Sequence, residues 1–180
     1  MKNLFITSLV LILTSCTGLP ENIQPVKNFD SQRYLGNWYE IARLDHSFER
    51  GLSNVTANYT KKKDGGIRVI NKGFSTKENA WSVAEGKAYF VDDDTTGHLK
   101  VSFFGPFYGS YVVFKMDEIN YEYAYVTSYK RDFLWLLSRT PEISETIKED
   151  FLNTAKENNF NVNEIIFVNH IPPPDLSIKE

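Results

Sequence analysis

The side chains that could carry covalent or metal chemistry are few: one cysteine and three histidines in 180 residues. Cys16 has no second cysteine with which to form a disulfide or a multi-cysteine metal site. His46, His98 and His170 stand near predicted loops or element ends without the spacing of metal ligands, and we interpret them as surface histidines. Asp45 and His46 are adjacent, so on a strand they would point to opposite faces and could not act as an acid–base couple. We therefore expect no catalytic residue, no metal and no cofactor.

The composition is that of one ordinary globular domain with a surplus of aromatic side chains. Hydrophobic residues make up 42% of the chain and charged residues 24%, and 180 residues suffice to bury one core. The 13 Phe, 10 Tyr and 3 Trp favour strands and surfaces that hold apolar ligands. The net charge of −3 provides no basic field, so we expect no nucleic-acid partner.

The N-terminus has the pattern of a bacterial lipoprotein signal. An apolar run over residues 4–13 follows a basic opening and is too short for a bilayer, which takes about 20 helical residues. Leu13-Thr14-Ser15-Cys16 then resembles the bacterial lipobox, which implies cleavage before Cys16 and acylation of its thiol and new amine by chains such as palmitate. Residues 1–15 are thus predicted to be a signal peptide. Residues 16–32 contain two prolines and no hydrophobic period, which predicts a lipidated tether.

Short β-rich segments follow, about ten residues apart and separated by Gly, Asp, Asn and Pro. This spacing is typical of an antiparallel sandwich or barrel. Some segments alternate with a period of two, as in Leu99, Val101 and Phe103 against Lys100 and Ser102, which predicts one face inside and one in water. The predicted strands cover residues 38–44, 54–61, 67–74, 81–90, 99–104, 110–116, 121–128 and 133–139.

One α-helix and a ninth strand are predicted after the eighth strand. Thr140-Pro141-Glu142 offers an N-cap, a proline at the first helical position and an early acid. Apolar residues then recur at every fourth position from Ile143 to Ala155 and give the helix one apolar face. The apolar run over residues 162–168 predicts the ninth strand, and residues 171–180 are expected to form a flexible tail.

Two motifs resemble the signature of the lipocalin family. Gly36-Asn37-Trp38 begins the first predicted strand, and Ser138-Arg139-Thr140-Pro141 closes the eighth, just before the helix. The resemblance is nearest to the apolipoprotein D-like branch of bacterial lipocalins. It implies an all-β fold in residues 33–170, namely an eight-stranded antiparallel up-and-down β-barrel with one C-terminal α-helix and a short ninth strand. It also implies structural roles for Gly36, Trp38 and Arg139, with Arg139 lying across the Trp38 ring at the closed base.

The resemblance further implies a binding protein of the bacterial cell envelope and not an enzyme. The ligand would be a fatty acid or a lysophospholipid. The protein would be anchored to the outer membrane through acylated Cys16. The resemblance also allows a homodimer. If Trp38 and Arg139 face inward, the period of two and the family's register place one set of side chains on the ligand-binding wall. These are Ala57, Tyr59, Val69, Asn71, Ala88, Phe90, Val101, Phe103, Tyr111, Val113, Phe133 and Trp135.

Other functions stay open at this point. The fold also hosts tetrapyrrole or haem, which a coloured purified protein would indicate. A few lipocalins are lipid-modifying enzymes, but the thiol that such isomerases use is missing from the barrel, since Cys16 lies at the signal. The barrel could also be filled by its own side chains, although small residues such as Ala57, Ala84 and Ala88 favour a cavity. The aromatic loop 104–109 is expected at the open end, where it either contacts a membrane or a second protomer, or folds over the mouth.

Overall fold

The computed structural model describes residues 17–171. Two α-helices, α1 (Ser31–Tyr34) and α2 (Glu145–Glu157), and a 3₁₀ turn (Val162–Glu164) accompany nine strands. The strands are β1 (Gly36–Leu44), β2 (Leu52–Lys61), β3 (Ile67–Ser75), β4 (Ala80–Phe90), β5 (His98–Ser102), β6 (Gly109–Met116), β7 (Tyr123–Thr127), β8 (Leu134–Ser138) and β9 (Ile165–Phe167).

The strands form one antiparallel meander that closes on itself. Each of β2 to β7 pairs with the next strand along the chain, β8 pairs with β1, and β1 also pairs with β2. The predicted eight-stranded barrel with a C-terminal helix and a ninth strand is therefore confirmed. Alternate side chains of each strand point into the barrel, where they form a single apolar cluster.

Strand β1 has three partners, which fixes how the barrel is closed. One edge pairs with β8, and a β-bulge interrupts this pairing between Glu40 and Ala42. The other edge pairs with β2 from Gly36 to Tyr39 and then with β9 from Ala42 to Leu44. Strand β9 thus takes the place beside β1 that β2 leaves open in its upper part.

The base of the barrel is sealed by aromatic rings and one arginine. The Trp38 indole is fully buried and its Nε1–H donates to the Tyr34 carbonyl at 2.8 Å. The Arg139 guanidinium carbon lies 3.8 Å from the centroid of the Trp38 ring, a cation–π distance. Gly36 has a φ of +96°, a backbone conformation that favours glycine, and it brings the chain into β1 beside Arg139. This end is therefore closed.

Helix α2 packs on the outer wall, and it begins later than the sequence predicts. Its N-cap is Ser144, whose side chain accepts from the Ile147 N–H, and not Thr140. The Thr140 hydroxyl instead donates to the Glu142 carbonyl at 2.6 Å, which makes a turn before the helix. Phe151 is fully buried and meets Tyr125 of β7 with ring centroids 5.1 Å apart.

Several side chains of residues 17–32, part of the predicted tether, pack against the barrel. Phe29 is buried in the apolar cluster inside the barrel. Ile23 is buried in a second apolar cluster, which lies between the outer wall of the barrel and α2. The Val26 N–H donates to the Val113 carbonyl at 2.9 Å, and Lys27 forms a β-bridge with Thr96. These contacts hold part of the segment on the barrel, because its apolar side chains lose contact with water there.

The predicted signal peptide, the acylation site Cys16 and residues 172–180 of the predicted tail lie outside the described residues. Over residues 17–171, none of the helices has the length and apolar character needed to cross a membrane.

Candidate ligand-binding site

Most of the predicted wall residues face the interior of the barrel, as their strand pairings require. Trp38 lies opposite Ala57, so the inward face of β1 continues into that of β2. The members that join the inner apolar cluster or pack against it are Ala57, Tyr59, Val69, Ala88, Phe90, Val101, Phe103, Tyr111, Val113 and Trp135.

The two remaining wall residues, Asn71 and Phe133, lie in different surroundings. Asn71 is opposite Ala57, so it shares the inward face, and its Oδ1 is buried without a hydrogen-bond partner. Phe133 precedes β8 at the open end, where its ring stacks on Phe48 and on Trp135, each with centroids 5.8 Å apart. Asn71 therefore adds an unpaired acceptor to the wall, and Phe133 belongs to the rim.

Burial of the inward side chains decreases from the base toward the open end. Trp38 and Val113 are fully buried, whereas Val101, Phe103 and Trp135 are only half-buried although they point into the barrel. The lower half of the barrel is thus filled with its own side chains, whereas these apolar wall residues toward the open end keep contact with solvent beside the buried Arg43. We call this end of the barrel interior the cup.

Three tyrosines form a polar, uncharged network in the barrel. The Tyr111 hydroxyl lies 2.7 Å from that of Tyr34 and 2.9 Å from that of Tyr59. Burial raises the pKa of all three phenols, so each keeps its proton at neutral pH. The network can donate and accept hydrogen bonds but brings no charge to the interior.

A buried cluster of charged side chains lies above this network, and the sequence did not reveal it. Arg43 is opposite Trp135 and Glu40 opposite Leu137, so both point inward from β1. The Arg43 Nη1 donates to Glu40 Oε1 at 2.6 Å, and its Nη2 donates to the Glu49 carbonyl at 2.8 Å. Arg43 is 2% exposed and Glu40 3%, and the Arg43 Nε has no partner. The arginine therefore ties the loop between β1 and β2 to the barrel wall.

The two carboxyl groups of this cluster titrate in opposite directions. Burial, together with the nearby negative charge of Glu49, raises the pKa of Glu40 well above its ordinary value. Burial also opposes ionisation of Glu49, but hydrogen bonds from His46 and Trp135 outweigh it and lower the pKa of Glu49. Of the two, Glu40 therefore keeps its proton to higher pH, and Glu49 is the one that ionises first.

The prediction of surface histidines is wrong for His46 and His98. His46 is 7% exposed and its Nε2 lies 3.1 Å from Glu49 Oε2, a carboxylate oxygen that also accepts from Trp135 Nε1 at 3.1 Å. His98 is 6% exposed and bonds Ser110 at 2.9 Å. The adjacent Asp45 pairs with an arginine of the same loop. Within residues 17–171 no three His, Cys, Asp or Glu side chains come together as metal ligands.

The chain is similar to known proteins over most of its length. Residues 29–170 match the family model of the lipocalin-like domain. The outer membrane lipoprotein Blc of Vibrio cholerae is 53% identical over 168 residues, which cover 93% of this chain and 98% of that protein. Blc of Escherichia coli K12 is 49% identical over 159 residues, covering 88% and 89%. Apolipoprotein D of Macaca fascicularis is 31% identical over 173 residues, covering 92% and 87%.

Solved structures with low sequence identity share the fold. Insecticyanin from the tobacco hornworm Manduca sexta superposes with a TM-score of 0.66 at 21% identity and covers 84% of this chain and 86% of that one. Lobster apocrustacyanin A1 superposes with a TM-score of 0.61 at 16% identity, covering 83% and 91%. At such identities the similarity concerns the barrel architecture alone.

Proposed function

The chain belongs to the lipocalin family, and from this premise we propose that it binds a fatty acid or a lysophospholipid inside its barrel. The predicted family is thus confirmed, and with it a role in binding a hydrophobic ligand at the envelope. The predicted outer-membrane location is confirmed through the Blc relatives, which are outer membrane lipoproteins about half identical to this chain. The identity of the ligand is the proposal.

One observation supports this proposal above the others: apolar side chains that point into the upper barrel keep contact with solvent. Val101, Phe103 and Trp135 would be covered by an acyl chain that enters the cup. Burial of about ten methylene groups would contribute roughly 8 kcal/mol before association costs. Micromolar affinity is then a reasonable expectation, since ordering and association oppose part of that gain.

The polar groups of the interior suit the remaining part of such a ligand. The Asn71 Oδ1 and the Arg43 Nε are buried without partners, one an acceptor and the other a donor. A head group with both hydroxyl and ester or phosphate oxygens could satisfy them, whereas a purely hydrocarbon ligand would leave them unpaired.

The test uses the positions of the three tryptophans. Trp135 lines the cup, Trp38 lies in the sealed base and Trp81 is 39% exposed on β4. A brominated fatty acid in the cup should quench the fluorescence of delipidated protein. We expect the quenching to persist in Trp81→Phe, the matched control, and to disappear in Trp135→Phe.

Native mass spectrometry identifies the ligand class. Delipidated protein is titrated with palmitate and, separately, with lysophosphatidylethanolamine, and we expect a one-to-one adduct with at least one of them. Absence of both adducts, or equal quenching in Trp135→Phe and wild type, would contradict the proposal.

Two further proposals concern enzymatic activity and self-association. The relatives bear names of lipoproteins and lipocalins, which agrees with binding, and we propose that this barrel also lacks an enzymatic activity. We propose in addition that two copies can form a homodimer. Sedimentation of the delipidated protein over a range of concentrations tests the second point.

A further inference from the structure

A pocket lies on the flank of the barrel where β4 and β5 part, and it shares Phe103 with the wall of the cup. Strand β4 pairs with β5 only as far as Lys87 opposite Ser102, so the part of β4 before Lys87 has no β5 partner. Beside this free edge is a pocket of about 270 Å³, whose polar lining is Lys62, Arg68, Lys87 and Ser102 together with the carboxylate of Glu85. Phe103 and Gly105 complete its side toward the loop between β5 and β6.

The pocket is positively charged in a protein whose net charge is −3. Arg68 is paired with Glu85 at 2.6 Å and Lys62 with Asp64 at 2.8 Å, so these two cations are largely compensated. Lys87 has no carboxylate within ion-pair distance among the described residues. A further cation lies on the neighbouring strand, since Lys100 is opposite Tyr89, two residue pairs along from Lys87 and Ser102. The pocket therefore carries a net positive charge that a ligand anion could balance.

Ser102 supplies an independent sign of a missing ligand. Its side chain lines the pocket, the residue is only 5% exposed, and its Oγ is buried without a hydrogen-bond partner. A buried hydroxyl without a partner is costly, so such groups are normally satisfied by protein, water or ligand. Beside an uncompensated lysine, the partner that fits best is an anionic oxygen, which would accept from the hydroxyl.

The loop next to the pocket presents aromatic rings to solvent. Phe104 is 79% exposed and Phe107 is 71% exposed, although both are large apolar side chains. The same loop places the ring of Tyr108 near the cations, with Lys87 Nζ at 5.9 Å and Lys100 Nζ at 5.6 Å from its centroid. Exposed aromatic rings beside basic side chains are typical of surfaces that rest on lipid head groups.

We propose that this pocket binds the phosphate of an anionic phospholipid in the bilayer surface. The phosphate oxygen accepts from Ser102 Oγ and is paired with Lys87, while Phe104 and Phe107 enter the interfacial region beside the head group. Because the site lies on the flank formed by β4, β5 and their loop, it places that flank against the membrane, while a ligand occupies the barrel.

Vesicle binding tests whether the positive charge of Lys87 attracts an anionic lipid surface. The protein is the predicted mature chain from residue 16 with Cys16→Ser, so that an acyl anchor does not hide weaker surface binding. Vesicles contain phosphatidylcholine with or without phosphatidylglycerol. We expect phosphatidylglycerol to increase binding and Lys87→Gln to reduce it about fivefold, the contribution of one basic residue at an anionic surface. The matched control, Lys156→Gln on α2, removes the same charge from an exposed site and should bind as the parent protein does.

Ser102→Ala tests the pocket itself. We expect it to weaken binding of soluble dihexanoyl phosphatidylglycerol about tenfold, because a hydrogen bond to a charged group is lost. Quenching of Trp135 by brominated fatty acid reports that the variant is folded. If Ser102→Ala and Lys87→Gln both bind vesicles and soluble lipid as the Lys156→Gln control does, the proposal is wrong. It is also wrong if inorganic phosphate binds as tightly as the lipid, or if the variants alter self-association and leave lipid binding unchanged.

Discussion

Replacement of Arg139 by alanine should strongly destabilise the barrel, because this side chain holds together three separate parts of the base. Its Nη1 donates to the Asn37 carbonyl at 2.9 Å, its Nη2 to the Arg33 carbonyl at 2.5 Å and its Nε to the Tyr121 carbonyl at 3.2 Å. It also lies over the Trp38 ring at 3.8 Å. The cation–π contact contributes about 1 kcal/mol and each hydrogen bond about 1 kcal/mol. With a discount for partial exposure, the expected loss is about 3 kcal/mol.

Urea unfolding of the non-acylated protein, followed by tryptophan fluorescence, measures this loss. Arg139→Lys keeps the charge but cannot reach three carbonyls at once, so we expect a loss of about 2 kcal/mol. The matched control is Arg50→Ala, which removes an exposed arginine whose solvent-screened ion pair with Asp45 contributes little to stability. If Arg139→Ala costs no more than Arg50→Ala, the base is not held by the arginine and the reasoning fails.

Three further predictions concern the interior. Because burial raises the pKa of Glu40 above its ordinary 4.5, the unfolded chain releases a proton that the folded protein keeps, and stability falls as pH rises through that window. Glu40→Gln should reduce this fall, as measured by urea unfolding at about pH 5 and about pH 8. Asn71→Leu removes an unpaired acceptor and should stabilise the empty protein by about 1 kcal/mol while weakening binding of lysophosphatidylethanolamine in a fluorescence titration; unchanged binding would exclude Asn71 from head-group contact. Tyr111→Phe removes the hydroxyl shared by Tyr34 and Tyr59 and should cost about 1–3 kcal/mol, a value near zero showing that the network is not stabilising.

The barrel could be predicted from the sequence because its signals are local. Alternation in segments such as Leu99, Val101 and Phe103 decides which face is buried, and a slip by one residue would reverse it. Polar turns separate these segments, and Trp38 and Arg139 mark the first and last strands of the barrel. The direction of most wall residues follows from these few facts.

The charged cluster could not be predicted, because it depends on departures from that alternation. A β-bulge in β1 lets Glu40 and Arg43 point to the same side although they are three residues apart. Glu49 and His46 reach them from a loop, whose path no periodicity records. A signal was nevertheless present: Arg43 lies in the otherwise apolar end of a strand, and a charge there needs a buried partner.

Two further differences arise from competition between local and tertiary preferences. Thr140 and Ser144 are both good N-caps, and the turn that Thr140 makes with Glu142 leaves Ser144 to begin α2. The prolines of residues 17–32 suggest a spacer, but Ile23 and Phe29 have apolar surface to bury and the barrel offers it. Neither the N-cap of α2 nor the packing of residues 17–32 can be predicted without knowing the surface that each segment contacts.

Strand β9 has a consequence for how the protein matures. The upper edge of β1 joins β2 only through residues far away in sequence: Ala42 pairs with Phe167, and the Asn54 N–H donates to the Asn169 carbonyl at 2.8 Å. Closing so long a loop has an entropic cost and slows pairing, and it cannot occur before residues 165–169 have been synthesised. Until β9 pairs with β1, the edge of β1 from Ala42 to Leu44 therefore lacks its neighbouring strand.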